Sequence, residues 1–219
     1  SPAAATTDTK APSATSAAGS ANLFTTQLKE GTPIIAEIDS ATGTTTNEFP
    51  TPEPHTGGLG GLAAHRDSVF FLGQGRYPIL YQLDTHTGDI LEQYFMWIGS
   101  GYYTDATMLG DELYLLDHRR RQVHVMDPFA PRYIRSLSLG SMHNISIGGG
   151  IAALSGPSRL YVADAFNTES IYEIYPATGA LTGTLPPLGN RPTALAGLGS
   201  QLFIADFQTQ TMEVRDRHG

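Results

Sequence analysis

Five times along the chain, at a spacing in the forties, an apolar pair follows a turn: Leu23-Phe24, Phe70-Phe71, Leu113-Tyr114, Leu160-Tyr161 and Leu202-Phe203. A period of that length predicts a solenoid or a propeller before any other architecture. After each pair comes a second apolar segment that ends in a turn: PIIAEIDSATG (33–43), PILYQLDTHTG (78–88), QVHVMDPFAP (122–131), SIYEIYPATG (170–179) and TMEVRDRHG (211–219). The turn chemistry sets the register. Asp39, Asp84 and Asp127 can bond the backbone two residues on, and Gly43, Gly88 and Gly179 can take a positive φ where the next strand begins. Just before four of the pairs lies a strand of small residues: GGLAAH (60–65), TDATML (104–109), GIAALS (150–155) and TALAGL (193–198). Small side chains suit strands crowded around an axis, and larger apolar ones suit the layers between sheets farther out. Each unit therefore reads as four antiparallel strands, inner to outer. The predicted fold is an all-β propeller of five four-stranded blades over residues 21–219.

The ends of the chain complete the count. The last repeat stops at Gly219 where an outer strand should start, and the first lacks a clear inner strand. Residues 12–18 align loosely with the inner strand before Leu202-Phe203, and residues 4–10 then supply the outer strand of the fifth blade, which removes exposed sheet edges. The competing expectation is that residues 1–20, rich in Ala, Ser and Thr with no large apolar side chain, form a linker, the propeller being part of a larger one. The alternation in LYVADAFNTESIYEIYPATGALTGTL resembles the superfamily of NHL, YVTN and PQQ-like β-propeller repeats. The Asp-x-x-Thr-Gly of IDSATG and LDTHTG is especially similar to PQQ-like repeats, although the tryptophan usual after that motif is absent. Neither a Trp-Asp dipeptide nor a double-glycine kelch signature recurs. The resemblance covers about residues 20–219 and implies a fold, not an activity, because propellers host many unrelated chemistries.

Composition narrows the function classes. A net charge of −8 argues against non-specific attraction to nucleic acid or to an anionic membrane, since both depend on clustered cations. The chain has no cysteine, which excludes disulfides, thiolate nucleophiles and cysteine-ligated metals together. No run of about 18 apolar residues occurs, so no membrane insertion is expected. The opening 20 residues lack the cationic and apolar regions of a signal peptide but resemble the start of an exported protein after cleavage. An extracellular or periplasmic location is the expectation.

In a propeller, the loops from outer to inner strand and from second to third strand meet on one axial face. On that logic the expected ligand or partner surface comprises Tyr102, Tyr103, Asp105, His118, Arg119, Arg120, Arg121, His143 and Arg191. Aromatic rings suit a glycan or protein platform, and arginine forks suit a carboxylate or a phosphate. The stretch YFMWIGSGYYTDA (94–106) reads as the end of one outer strand, a crossing turn and the start of the next inner strand. Tyr94, Met96 and Ile98 share one face and Phe95 and Trp97 the other, with one set packed on a neighbouring blade. The aspartates Asp117, Asp164 and Asp206 recur at the ends of the second strands. A repeated Asp turn explains them. An axial cation site built from Glu53, Asn144, Asp164, Asn167 and Asp206, holding a divalent cation such as calcium, is the alternative.

No short motif marks a catalytic centre. The seven histidines show no metal-binding spacing, Ser155 lacks a nucleophile-elbow context, and no Ser-His-Asp order can be read. The functional expectation is a non-enzymatic binding or accessory module that recognises a protein or glycan through its axial-face loops and carries no cofactor. The alternative is a metal-dependent hydrolase or lactonase on axial Asp, Glu and Asn ligands.

Overall fold

The computed structural model describes residues 22–52, 61–73, 78–96, 103–140, 149–156, 158–165, 167–185, 191–206, 209 and 211–216. These form five antiparallel sheets in chain order, the blades of a β-propeller. Blade one holds β1 (Asn22–Lys29), β2 (Thr32–Asp39) and β3 (Thr45–Pro50). Blade two runs β4 (Leu62–His65), β5 (Ser68–Gly73), β6 (Ile79–Asp84) and β7 (Ile90–Phe95), and blade three β8 (Tyr103–Leu109), β9 (Glu112–Asp117), β10 (Gln122–Asp127) and β11 (Arg132–Ser138). Blade four comprises β12 (Ile151–Leu154), β13 (Arg159–Ala163), β14 (Ile171–Ile174) and β15 (Leu181–Leu185), and blade five β16 (Pro192–Leu198), β17 (Gln201–Asp206) and β18 (Thr211–Asp216). Among the described residues, blades two to four thus have the expected four strands and blades one and five have three. The segments expected to fill the two open positions, 12–18 and 4–10, lie outside the described residues.

The repeated residues produce the repeated geometry. In the turns before β3, β7 and β11, the carboxylates of Asp39, Asp84 and Asp127 accept backbone N–H groups two and three residues on, at 2.8–3.1 Å. Gly43, Gly88 and Gly179 take φ of +70°, +74° and +74°, as their place in the turns requires. Just after each turn the outer strand slips by one residue against the third, a bulge that recurs in blades one to four and increases the local twist.

The core lies in layers between blades. On the blade-four side of blade three, Tyr114, Leu116, Val123, Val125 and Leu137 meet Ile151, Leu160 and Val162. On its opposite side Leu113, Leu115 and Met126 meet Phe70, Leu72 and Leu80 of blade two. Met96 and Tyr94 join that second layer, while Phe95 is 62% exposed, so alternation sorts the described part of the 94–106 stretch as expected. Near the axis, neighbouring inner strands approach backbone to backbone. A Cβ on Gly61 would lie 2.6 Å from Asp105 Cα, one on Gly150 2.5 Å from Leu195 N, and one on Gly197 2.0 Å from Ala153 O. This is why small residues mark the inner strands.

Candidate functional site

The second strands end, and the inner strands begin, on the same face: Tyr103 pairs with Asp117, and Pro192 with Asp206. Asp117, Asp164 and Asp206 each turn a carboxylate onto the loop that follows. Asp117 accepts the Arg120 N–H at 3.0 Å, Asp164 the N–H groups of Asn167 and Thr168 at 3.2 Å, and Asp206 the Thr209 N–H at 2.6 Å. These acids therefore fix the loops of the axial face. Asn167 itself is exposed on its turn. Among the described residues no group of three or more His, Asp or Glu stands close enough together to hold a metal ion. Glu53 and Asn144 lie outside the described residues, as do Tyr102 and His143.

The turn after β9 carries His118, half-buried, and three exposed arginines, Arg119, Arg120 and Arg121. Buried Asp117 tethers one of them: the Arg120 Nη1 lies 3.2 Å from Asp117 Oδ2. Arg121 closes the turn at a φ of +53°. This left-handed region costs a non-glycine residue free energy, and spacing alone gave no sign of it. Glu30 and Glu169 occupy the matching turns of blades one and four at φ of +52° and +53°. Arg191 is exposed at the entry to β16 on the same face.

Tyr103 does not stand on that surface. It begins β8, is 4% exposed, and meets His124 edge-on at 5.7 Å between ring centroids. Burial holds its phenol well above the ordinary range, with the nearby Asp117 charge adding to the effect.

Inside the ring, a channel of about 470 Å³ takes its walls from all five blades, among them Phe24, Ala63, Thr107, Ala153 and Ala196. Asp105 of β8 lines it as well. Its Oδ1 accepts the Ala106 N–H and its Oδ2 the Ile151 N–H, both at 2.9 Å, and the Leu62 N–H also points to it. The carboxylate thereby joins the inner strands of blades two, three and four. Burial outweighs these three donors and pushes the acid up to about 7. The sequence put Asp105 both in the inner strand 104–109 and among the axial-face residues; the structure sets it in that strand, lining the channel.

No family model and no curated protein matches this chain. Solved structures do, and they are β-propeller proteins. Glutaminyl cyclase of Myxococcus xanthus superposes with a TM-score of 0.65 at 12% identity, over 87% of this chain and 84% of that one. Virginiamycin B lyase of Staphylococcus aureus gives 0.52 at 16% identity, over 87% and 68%. A chain of the Mitotic Checkpoint Complex gives 0.51 at 12% identity, over 90% and 61%. At these identities the likeness is one of fold.

Proposed function

We propose that the protein is a binding module that takes an acidic segment of a partner protein on its axial face, centred on the turn His118–Arg121. The observation that carries this reading is Arg121 at a φ of +53°. Glycine would hold that turn without strain, yet the position presents a third consecutive guanidinium on a chain of net charge −8. A cationic cluster on an acidic molecule gives orientation and speed to the encounter with a negative partner, and planar guanidinium groups pair with carboxylates in bidentate fashion. Arg120, tethered to Asp117, is positioned in advance. One solved neighbour is a chain of a multiprotein complex, which agrees with a propeller used for assembly. The Ala/Ser/Thr-rich residues 1–20 support a setting outside the cytoplasm.

The test replaces Arg121 by glycine and reads two quantities. Stability should rise by about 0.5–1 kcal/mol as the left-handed strain is released, while affinity for Glu-rich peptides, followed by fluorescence anisotropy, should fall several-fold and lose part of its salt dependence. A variant that is less stable and binds as before would mean that Arg121 serves the turn and not a partner.

A second reading has its own observation. Asp105, raised to about 7 beside a cavity of about 470 Å³, is poised for proton transfer near neutral pH. On that reading the axis is a catalytic site, as in a hydrolase or lyase, with or without a divalent ion. Two of the solved neighbours are enzymes by name. Soaking the protein with a divalent cation and following its thermal midpoint, with and without chelator, separates the metal-dependent form of this reading from the rest.

A further inference from the structure

On the side of blade three that faces blade two, four polar side chains form one line from the core to the surface. Asp117 is fully buried at the end of β9 and His124 is 5% exposed on β10. Ser136 stands exposed on the outer strand β11, directly opposite His124 in the register. Ser136 Oγ lies 2.7 Å from His124 Nδ1, and the Tyr133 hydroxyl lies 2.9 Å from Ser136 Oγ. The other ring nitrogen of His124, buried and without a hydrogen-bond partner, is 3.6 Å from Asp117 Oδ2. Tyr103 meets the imidazole edge-on at 5.7 Å between ring centroids, and the Tyr133 ring lies tilted at 6.3 Å. One assignment of protons suits the whole line. Tyr133 donates to Ser136 Oγ, Ser136 donates to His124 Nδ1, and His124 Nε2–H faces the carboxylate.

We propose that Ser136, His124 and Asp117 form a nucleophilic triad on the flank of blade three, with Ser136 accepting the acyl group of small carboxylic esters. The sequence order, Asp117 then His124 then Ser136, carries no recognisable motif, and only the cross-strand register brings the three together. Such constellations are recognised by geometry and roles, not by position in the chain. Burial, opposed by Asp117 and aided by the Arg120 charge that pairs with the same carboxylate at 3.2 Å, holds the imidazole below its ordinary range, so at neutral pH Nδ1 has a lone pair for the serine proton.

The edge of the sheet supplies an oxyanion donor. Leu139 donates to the Arg121 carbonyl at 2.9 Å, which puts the odd-numbered residues of β11 in hydrogen-bonded pairs and turns the Ser136 N–H away from β10. β11 is the outermost strand of its sheet, so that N–H faces outward beside the attacking oxygen. An exposed serine without a deep acyl pocket suits a short, unhindered acyl group. Ser136 Oγ bonds to the ester carbonyl carbon while its proton passes to His124 Nδ1. The tetrahedral centre then breaks its bond to the alkoxy oxygen, which leaves as the alcohol with that proton. Water attacks the acyl-serine, its proton travels through Nδ1 to Ser136 Oγ, and the carboxylic acid departs.

The test is labelling of the intact protein with an alkyne-tagged fluorophosphonate, read by peptide mapping at several pH values. Ser138, also exposed, is two residues along the same strand but faces Gln122 instead of a histidine, and serves as the control within the chain. Ser136 should label about 100-fold faster than Ser138, at a rate that rises as an imidazole loses its proton below the ordinary histidine range. His124→Gln should remove that advantage, and p-nitrophenyl acetate turnover should vanish in Ser136→Ala. Equal labelling of the two serines, or a Ser136 rate that does not follow an imidazole titration, would overturn the proposal. Both readings come from the unaltered protein, so they stand even if His124→Gln fails to fold.

Discussion

Asp105 holds together three inner strands with a group that is uncomfortable when charged. Its carboxyl keeps a proton up to about 7 in the folded chain and releases it near pH 4 when unfolded. Between those values the native state binds more protons, so stability is full below about pH 4, falls as pH rises to about 7, and is level above that. Asp105→Asn should flatten this slope, while lowering the acid-side plateau because an amide offers one acceptor oxygen where two are used. Thermal midpoints of both proteins from pH 4 to pH 8 check it; parallel curves would contradict the assignment. Little of this was legible in the sequence. The desolvation of Asp105 comes from neighbouring inner strands some forty residues away on either side. The same holds for Ser136 and His124, whose contact depends on a register fixed by a bulge one turn earlier. What could be read was local: the aspartates of the turns, whose partners lie two or three residues on.

At the scale of elements, the inner strands are selected for thinness and the outer ones are not. Gly197 sits where a methyl group would lie 2.0 Å from the Ala153 carbonyl oxygen, backbone against backbone. Gly197→Ala should therefore cost about 3 kcal/mol or more, since the opposing atom belongs to a strand that cannot swing aside. Gly183 on the outer strand β15 has nothing nearer than 3.7 Å to an added methyl, so Gly183→Ala should be neutral or mildly stabilising. Denaturant midpoints of the two variants separate them. Equal costs would mean that the axial packing is looser than described. Small-residue runs made the inner strands visible in the sequence because crowding at an axis acts on every blade alike. The turn proposed for binding was visible as a run of cations, but its left-handed closure was not, because φ at Arg121 is set by the hairpin and not by its composition.

Across the whole molecule, the repeat fixed the number of blades, and the ring brings the channel walls together from all five. At the seam between blades five and one, the described residues leave apolar side chains exposed on the edge strand β18. Met212 and Val214 of β18 are 48% and 47% exposed, whereas Val123 and Val125 on the equivalent strand of blade three are buried. A strand over residues 4–10 on that edge would cover them, and deletion of residues 1–18 should then lower the thermal midpoint by more than about 5 °C. An unchanged midpoint would identify those residues as a linker. Repeats report blade count because each blade solves the same packing problem, but they are silent on what the blades present, since the loops are the parts that need not repeat. Amide chemical-shift mapping of the isotope-labelled protein during titration with a Glu-rich peptide shows directly what those loops hold. The largest shifts should fall on residues 118–121 and on Arg191, at one end of the ring. Shifts confined to the opposite end, around Gly110, Ser155 and Gly199, or no saturable shifts at all, would contradict the proposed binding face.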